Sequence, residues 1–174
     1  RVMREDGQWC ETGEPGEIVL RDWVSSAAYL DDEAATALVH RYGWYHTGDV
    51  GAMDKDGRIT LLDRKKDVII SGGENVSSIE VEDAVFGHPD VNEVAVIGVP
   101  DEKWGELVMA LVVKNPTSTL TEDELIAYVK TKLAGYKCPK RIEFRNELAR
   151  TATGKLQKFK LREPYWVNHT RQVN

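Results

Sequence analysis

Cysteine is nearly absent from this sequence, and so are several patterns that identify common functional classes. The 174 residues contain only Cys10 and Cys138, which fit neither a metal-ligand spacing nor a disulfide framework. We therefore expect a reducing, cytoplasmic setting. No apolar run approaches the roughly 18 residues needed to span a bilayer, and the first residues lack the apolar centre of a secretion signal. The phosphate-binding loop G-x-x-x-x-G-K-[ST] is also missing, which excludes the P-loop class.

Charged residues are plentiful, but their signs are unevenly distributed. The net charge is −6, yet residues 137–162 carry nine Lys and Arg against Glu143 and Glu147, which gives that segment +7 and leaves residues 1–136 with −13. A basic end on an acidic body favours an anionic ligand that carries phosphates. A solvated basic surface explains the same pattern on charge alone. Nucleic acid is not expected as a partner, because no aromatic stacking platform accompanies the basic residues.

Turn signals and short apolar runs predict β structure in the first part of the chain. A strand is predicted at 16–21, and two more, at 50–53 and 59–62, flank a hairpin turn at 54–57 (DKDG). A short helix is predicted over 31–40 from its Asp start and its apolar spacing. This part of the chain is therefore expected to be rich in hairpins.

Strand and helix patterns alternate in the rest of the chain. Capping-box sequences predict helices that open at Ser77 and Thr121, and the second of these helices is predicted to run to about Ala134. Apolar, β-branched runs predict buried strands, and a short strand and a final helix complete the pattern. These elements are predicted at 68–70, 91–99, 107–113, 141–145 and 158–162.

The composition changes at residues 63–67 (DRKKD), and we place a domain boundary there. The predicted fold class is α+β, with a β-rich subdomain over 1–64, a small mixed α+β domain over 65–163 and a tail over 164–174. Because the chain starts without an initiator Met, we expect it to be a fragment of a longer protein.

Three residues can hold a ligand that carries hydroxyls or negative charge. Asp49 ends a tight Thr-Gly-Asp turn, and its two carboxylate oxygens suit two neighbouring hydroxyls, such as those of a ribose. Arg64 stands in the basic run fifteen residues later. Lys155 follows Gly154 in a polar loop, where a lysine supplies a point charge for phosphate or carboxylate oxygens. Taken singly, each pattern is more typical of a loop cap or a surface cation than of a ligand site.

Taken together, three segments resemble the C-terminal part of the adenylate-forming enzymes, which include acyl-CoA ligases, nonribosomal peptide adenylation domains and luciferases. The segments are residues 43–49 (GWYHTGD), 63–76 (DRKKDVIISGGENV) and 151–155 (TATGK). Their order and spacing match the family from about Gly16 to about Arg162. The resemblance therefore covers nearly the whole chain and implies the small C-terminal lid domain of that family over 65–163.

The resemblance implies roles in the formation of an acyl-adenylate. Asp49 is similar to the acid that binds the AMP ribose, and Arg64 to the arginine beside it. Lys155 matches the lysine that bridges the substrate carboxylate and the α-phosphate. Lys66 matches the hinge about which the small C-terminal domain rotates.

The resemblance also implies contacts with CoA. Gly72 and Gly73 match the strand that lines the pantetheine tunnel after rotation, and Trp104 and Tyr136 match aromatic positions that contact CoA in some ligases. Cys138 departs from the pattern, because some ligases place a basic residue there to hold a CoA phosphate. The basic residues that remain near this position are Lys137 and Lys140.

The implied function is that of an acyl-CoA ligase, which converts a fatty or aromatic acid, ATP and CoA into acyl-CoA, AMP and pyrophosphate. Residues 63–76 and 99–106 (VPDEKWGE) favour this function over an adenylation domain that loads a carrier protein. A noncatalytic binding module would not need Asp49, Arg64 and Lys155 together. The family's large N-terminal domain would supply the phosphate loop, the magnesium site and the acyl pocket. We therefore expect no metal site in this chain and no activity of the fragment alone.

Overall fold

The chain divides into two compact units, Arg1–Lys66 and Asp67–Asn174, which we call the N-terminal and C-terminal units. The computed structural model describes residues 1–21, 28–167 and 169. Each unit has its own sheet, and their strands and helices together confirm the α+β class. The break falls within the basic run where the composition of the sequence changes.

The N-terminal unit is a four-stranded antiparallel sheet in which the strands are neighbours in the order of the sequence. Its elements are β1 (Val2–Met3), β2 (Pro15–Leu20), α1 (Glu33–Val39), β3 (Tyr45–Met53) and β4 (Ile59–Arg64). The prediction of hairpin-rich structure is confirmed, although β3 begins five residues earlier than predicted. Helix α1 starts where the Asp32 carboxylate accepts a hydrogen bond from the Ala35 N–H.

The turn between β3 and β4 forms as the sequence predicts. Asp54 Oδ1 accepts hydrogen bonds from the backbone N–H groups of Asp56 and Arg58, at 2.9 Å each. Gly57 takes a left-handed φ of 79°, which glycine tolerates because it has no Cβ. The turn sets the pairing of β3 with β4 as far as Gly51 and Leu61, and a one-residue register shift between Gly51 and Val50 then brings Asp49 opposite Arg64.

The described part of the C-terminal unit contains a five-stranded sheet and three helices. Its elements are β5 (Ile69–Ser71), β6 (Glu74–Val76), α2 (Ser78–Phe86), β7 (Val91–Asp101), β8 (Gly105–Lys114), α3 (Glu122–Lys130), β9 (Arg141–Phe144) and α4 (Lys158–Trp166). The strand order is β6-β5-β8-β7, and β9 pairs in parallel with β8. Within the residues that the structure describes, no helix combines the length and apolarity needed to cross a membrane.

Strands β7 and β8 carry the core of the C-terminal unit. One set of their side chains, including Val96 and Ala110, packs into a cluster with buried residues of α2 and α3. The alternate set, including Ile97 and Met109, packs with Leu161 of α4. Because both faces are covered, the strands appear in the sequence as continuous apolar runs rather than as alternating ones.

The two predicted capping boxes differ in the structure. At α3, Thr121 Oγ1 accepts from the Glu124 N–H, and the Glu124 carboxylate accepts from the Thr121 N–H, so the full box is confirmed. At α2, Ser77 Oγ accepts from the Glu80 N–H, but the Glu80 carboxylate pairs with Lys137 Nζ at 2.7 Å. The Glu80 carboxylate, which a reciprocal capping box would use, binds Lys137, a residue distant in sequence.

The predicted ends of two helices were wrong. Helix α3 ends at Lys130 rather than near Ala134. The Thr131 N–H donates to the Tyr128 carbonyl at 3.0 Å, and this three-residue spacing tightens the chain into a turn instead of another α-helical turn. Helix α4 continues to Trp166, one turn beyond the predicted end.

A buried ion pair ties the start of the C-terminal unit to α4. Arg162 Nη1 lies 2.8 Å from Asp67 Oδ1, and the two side chains are only 10% and 11% exposed. We expect Asp67→Ala to lower the free energy of unfolding of this unit by about 3 kcal/mol, because it removes one partner of a buried pair. Urea denaturation of the 174-residue chain measures the change. The exposed Asp56→Ala is the matched control, and equal losses in the two variants would contradict the assignment.

Candidate functional site

Asp49 and Arg64 face each other across the β3–β4 hairpin. They are direct cross-strand partners, and Arg64 Nε lies 3.5 Å from Asp49 Oδ1. Their side chains are 35% and 48% exposed, so a ligand can reach both. No hydrogen bond from the described residues reaches the Asp49 carboxylate. The structure thus brings together two residues that are fifteen positions apart in sequence, and it leaves the carboxylate lone pairs available to a ligand.

Asp49 belongs to a bulge within β3, not to a free turn as the sequence suggested. Between the pairs Glu17↔Val50 and Val19↔His46, β3 uses two more residues than β2. The extra length includes Gly48, whose φ of 75° is left-handed. The bulge turns the chain locally while strand pairing continues on both sides, which holds Asp49 more firmly than a loop would.

A buried carboxylate beneath this bulge was not predicted as a site residue. Glu17 of β2 is 9% exposed, and its Oε1 accepts a hydrogen bond from the Gly48 N–H at 3.1 Å. One signal was available in the sequence. Glu17 stands two residues before Val19 in a strand, and residues two apart share a face. An acid on the face that carries a buried Val is unusual enough to mark a built polar cluster.

Lys155 lies at the end of an exposed loop that is closed at its base. Arg150 and Leu156 form a β-bridge, and Arg150 Nη1 donates to the Gly154 carbonyl at 2.8 Å. The Thr151 N–H donates to the Lys155 carbonyl at 2.8 Å. Within the described residues, the Lys155 ammonium has no hydrogen bond or ion pair. The loop backbone is therefore held in place while its lysine side chain extends into solvent.

Gly72 and Gly73 form the turn of the β5–β6 hairpin, under the ring of Trp104. Their φ values of 62° and 84° are both left-handed, as a tight two-residue hairpin turn requires. The Gly72 N–H donates to the Trp104 carbonyl at 2.8 Å. A Cβ added to Gly72 would lie 2.8 Å from Trp104 Cε3. The structure therefore brings Trp104 and this turn into direct contact.

Tyr136 lies half-exposed in the loop between α3 and β9, where the neighbouring basic residues already have partners. Lys137 Nζ pairs with both Glu80 oxygens at 2.7 Å, and this hydrogen bonding raises the pKa of Lys137. Lys140 Nζ donates to the Gly135 carbonyl at 2.9 Å. Cys138 is fully buried and packs in the core, so its side chain does not face a ligand.

Lys66 is exposed and lies in a turn at the division between the two units. It does not lie in a helix or a strand. Among the described residues, no three His, Cys, Asp or Glu side chains converge to form a cation site.

Known proteins match this chain over most of its length. Residues 80–155 match the family model of the AMP-binding enzyme C-terminal domain. The chain is 45% identical to a feruloyl-CoA synthase of an Amycolatopsis species and 44% identical to the long-chain-fatty-acid–CoA ligase FadD13 of Mycobacterium tuberculosis. These matches cover 95% and 94% of this chain but only 34% and 32% of the relatives. The chain thus spans about a third of the length of the curated relatives it matches.

Solved structures show the same likeness in three dimensions. The ATP-bound crystal structure of MatB from Rhodopseudomonas palustris superposes with a TM-score of 0.89 at 36% identity, over 95% of this chain and 33% of that one. The likeness includes both units, since 95% of the chain cannot be covered by either alone. The chain belongs to the adenylate-forming enzymes, and residues 80–155 are its AMP-binding enzyme C-terminal domain.

Proposed function

We propose that this chain is the C-terminal part of an AMP-forming acid–thiol ligase that makes acyl-CoA from a carboxylic acid, ATP and CoA through an acyl-adenylate. The main support for this proposal is the distribution of the candidate site residues between the two units. The Asp49–Arg64 pair lies in the N-terminal unit, while Lys155 and the Gly72-Gly73 turn lie on separate loops of the C-terminal unit. The C-terminal unit can thus offer one surface for adenylate formation and another for transfer of the acyl group to CoA.

Asp49 and Arg64 fit the ribose of a nucleotide. The Asp49 carboxylate is partly exposed and can accept hydrogen bonds from two neighbouring hydroxyls. The Arg64 Nε, 3.5 Å from Asp49 Oδ1, limits the orientations of that carboxylate. These two residues would hold ATP, and then the adenylate, in one position through both half-reactions.

Lys155 would act in the first half-reaction, in which a carboxylate attacks the α-phosphorus of ATP and pyrophosphate leaves. Two anions must approach each other, and a cation between them reduces their repulsion and stabilises the charge in the transition state. At an effective dielectric of about 20, one such contact at about 4 Å is worth roughly 4 kcal/mol before desolvation. Magnesium, which we expect to bind in the large domain, would neutralise further phosphate charge.

The Gly72-Gly73 turn would act in the second half-reaction, in which the CoA sulfur attacks the acyl carbonyl and AMP leaves. Two adjacent glycines let a thin pantetheine chain pass close to the backbone. Trp104 closes one side of the turn, and we assign Tyr136 a contact with CoA as well. A rotation of the C-terminal unit about Lys66 would move the Lys155 loop away from the adenylate and bring the Gly72-Gly73 turn to it. Such a rigid-body rotation requires changes in only a few backbone angles.

The proposed acid is fatty or aromatic. This rests on the similar relatives, one of which is named for feruloyl-CoA and the other for long-chain fatty acids. The distribution of the two cysteines supports a reducing, cytoplasmic setting for the enzyme.

A panel of carboxylic acids tests the function in the full-length enzyme that contains this chain. We expect pyrophosphate release with at least one fatty or aromatic acid, followed by acyl-CoA when CoA is added. Adenylation without transfer to CoA would instead favour the loading of a carrier protein, and no pyrophosphate release with any acid would favour a noncatalytic module. The 174-residue chain alone should form no acyl-CoA, because the proposed large domain is not part of it. Turnover by the chain alone would contradict the proposal.

A further inference from the structure

The carboxylate of Glu17 is the centre of a buried polar cluster in the N-terminal unit. Its Oε1 accepts from the Gly48 N–H at 3.1 Å. Its Oε2 lies 2.8 Å from Arg41 Nη2, 3.0 Å from His46 Nδ1 and 3.6 Å from Lys65 Nζ. These groups come from three different parts of the unit, namely the segment after α1, strand β3 and the turn after β4. One side chain therefore links all of them.

The surrounding groups keep this buried carboxylate charged. Burial acts to raise the pKa of Glu17, but the contact with His46 and the charge of Lys65 outweigh it, so the pKa lies below its ordinary value. A buried charge is retained in a fold only when partners compensate for the lost hydration. Glu17 therefore presents a full negative charge to the Gly48 N–H, which strengthens that hydrogen bond.

The Gly48 N–H belongs to the bulge that carries Asp49. The register shift removes the bulge from the normal β2–β3 ladder, so its polar groups need other partners. Glu17 satisfies the Gly48 N–H, while the Gly48 carbonyl accepts from the Lys65 N–H at 2.8 Å. Thr47 Oγ1 completes the support by donating to the Ile18 carbonyl at 2.8 Å and accepting from the Asp49 N–H at 3.1 Å.

We propose that Glu17 is a positioning residue for nucleotide binding. By accepting the hydrogen bond from the Gly48 N–H, Glu17 fixes the backbone beside Asp49 and so sets the direction of the Asp49 carboxylate. This inference rests on the proposed function. Glu17 touches neither substrate nor nucleotide, and its effect passes through Gly48 to Asp49. Its loss should therefore weaken the binding of ATP and leave the binding of CoA unchanged.

The test is a double-mutant cycle on the KM for ATP in the full-length enzyme. Glu17→Gln removes the charge but retains the shape, and we expect it to raise the KM for ATP about tenfold, as weakening one charged hydrogen bond would. In an Asp49→Asn background the same change should raise the KM less than about twofold, because the residue through which Glu17 acts is already impaired. The KM for CoA should stay constant throughout.

Two further variants separate the effect of the charge of Glu17 from the effect of its contact with Gly48 and control for the loss of an acid elsewhere. Glu17→Asp retains the negative charge that faces Arg41, His46 and Lys65 but shortens the reach toward Gly48, so it should raise the KM for ATP. Glu14→Gln, on a half-buried acid that pairs with Arg4, is the matched control and should leave the KM unchanged.

A merely structural role for Glu17 would raise the KM for ATP by the same factor in the native and Asp49→Asn backgrounds. That result would overturn the inference, as would an unchanged KM for ATP in both Glu17→Gln and Glu17→Asp. Failure of the proposed function is a different result, since the unmodified enzyme would then show no ATP-dependent turnover.

Discussion

Lys155→Ala in the full-length enzyme should strongly slow acyl-adenylate formation and spare the transfer of a supplied acyl-adenylate to CoA. Removing one group that stabilises charge in a transition state typically costs about 100- to 1000-fold in rate, and we expect a loss of that size in pyrophosphate release. The side chain is exposed and has no ion-pair partner among the described residues, while backbone hydrogen bonds hold the loop. The variant should therefore fold normally.

Lys160→Ala is the matched control for Lys155→Ala. Lys160 is also exposed, and it lies five residues further along, in the first turn of α4. The substitution removes the same charge from the same basic segment without touching the loop. Both half-reactions should keep their rates within about twofold, since surface charges away from a site contribute little. Equal loss of the two half-reactions in Lys155→Ala would contradict the role assigned to this lysine.

Gly72→Ala should produce the opposite pattern, with adenylation nearly unchanged and thioester formation reduced by about 10- to 100-fold. The left-handed φ of 62° strains any side chain, and the new Cβ would lie 2.8 Å from Trp104 Cε3. The ring must move, and displacements near 1 Å in a reacting complex can cost about 100-fold. Separate assays of pyrophosphate release and of acyl transfer from supplied adenylate measure the two effects.

Gly57→Ala controls for backbone strain in Gly72→Ala. Gly57 also sits in a hairpin turn with a left-handed φ of 79°, but a Cβ there would meet nothing within 4 Å. Its substitution should lower stability without changing either half-reaction. If Gly57→Ala reduces thioester formation as much as Gly72→Ala, the assignment of the Gly72-Gly73 turn is wrong.

Local patterns were sufficient to predict much of the fold. The DKDG turn at 54–57, the full capping box at Thr121 and the two apolar strands of the core each depend on residues close in sequence or on burial of both faces of a strand. The family resemblance assigned roles to Asp49, Arg64 and Lys155. The structure adds that the first two are cross-strand partners and that the third is exposed on a closed loop.

Features that depend on distant partners could not be predicted. The Glu80 carboxylate leaves its capping box because Lys137, 57 residues away, binds it. The bulge at Asp49 depends on the pairing of β3 with β2, and Glu17 becomes part of the site only through that pairing. The face that Glu17 shares with Val19 marks it as an acid on a buried face, but no local pattern encodes which partners meet, because contacts between separated segments decide that.

The most direct test of the account compares both half-reactions in Lys155→Ala and Gly72→Ala, measured by rapid quench in matched preparations of full-length enzyme. We expect opposite losses: Lys155→Ala should be deficient only in adenylation, and Gly72→Ala only in acyl transfer. Parallel losses, in which each variant slows both half-reactions by a similar factor, would show that the two loops do not serve separate steps and would contradict the account.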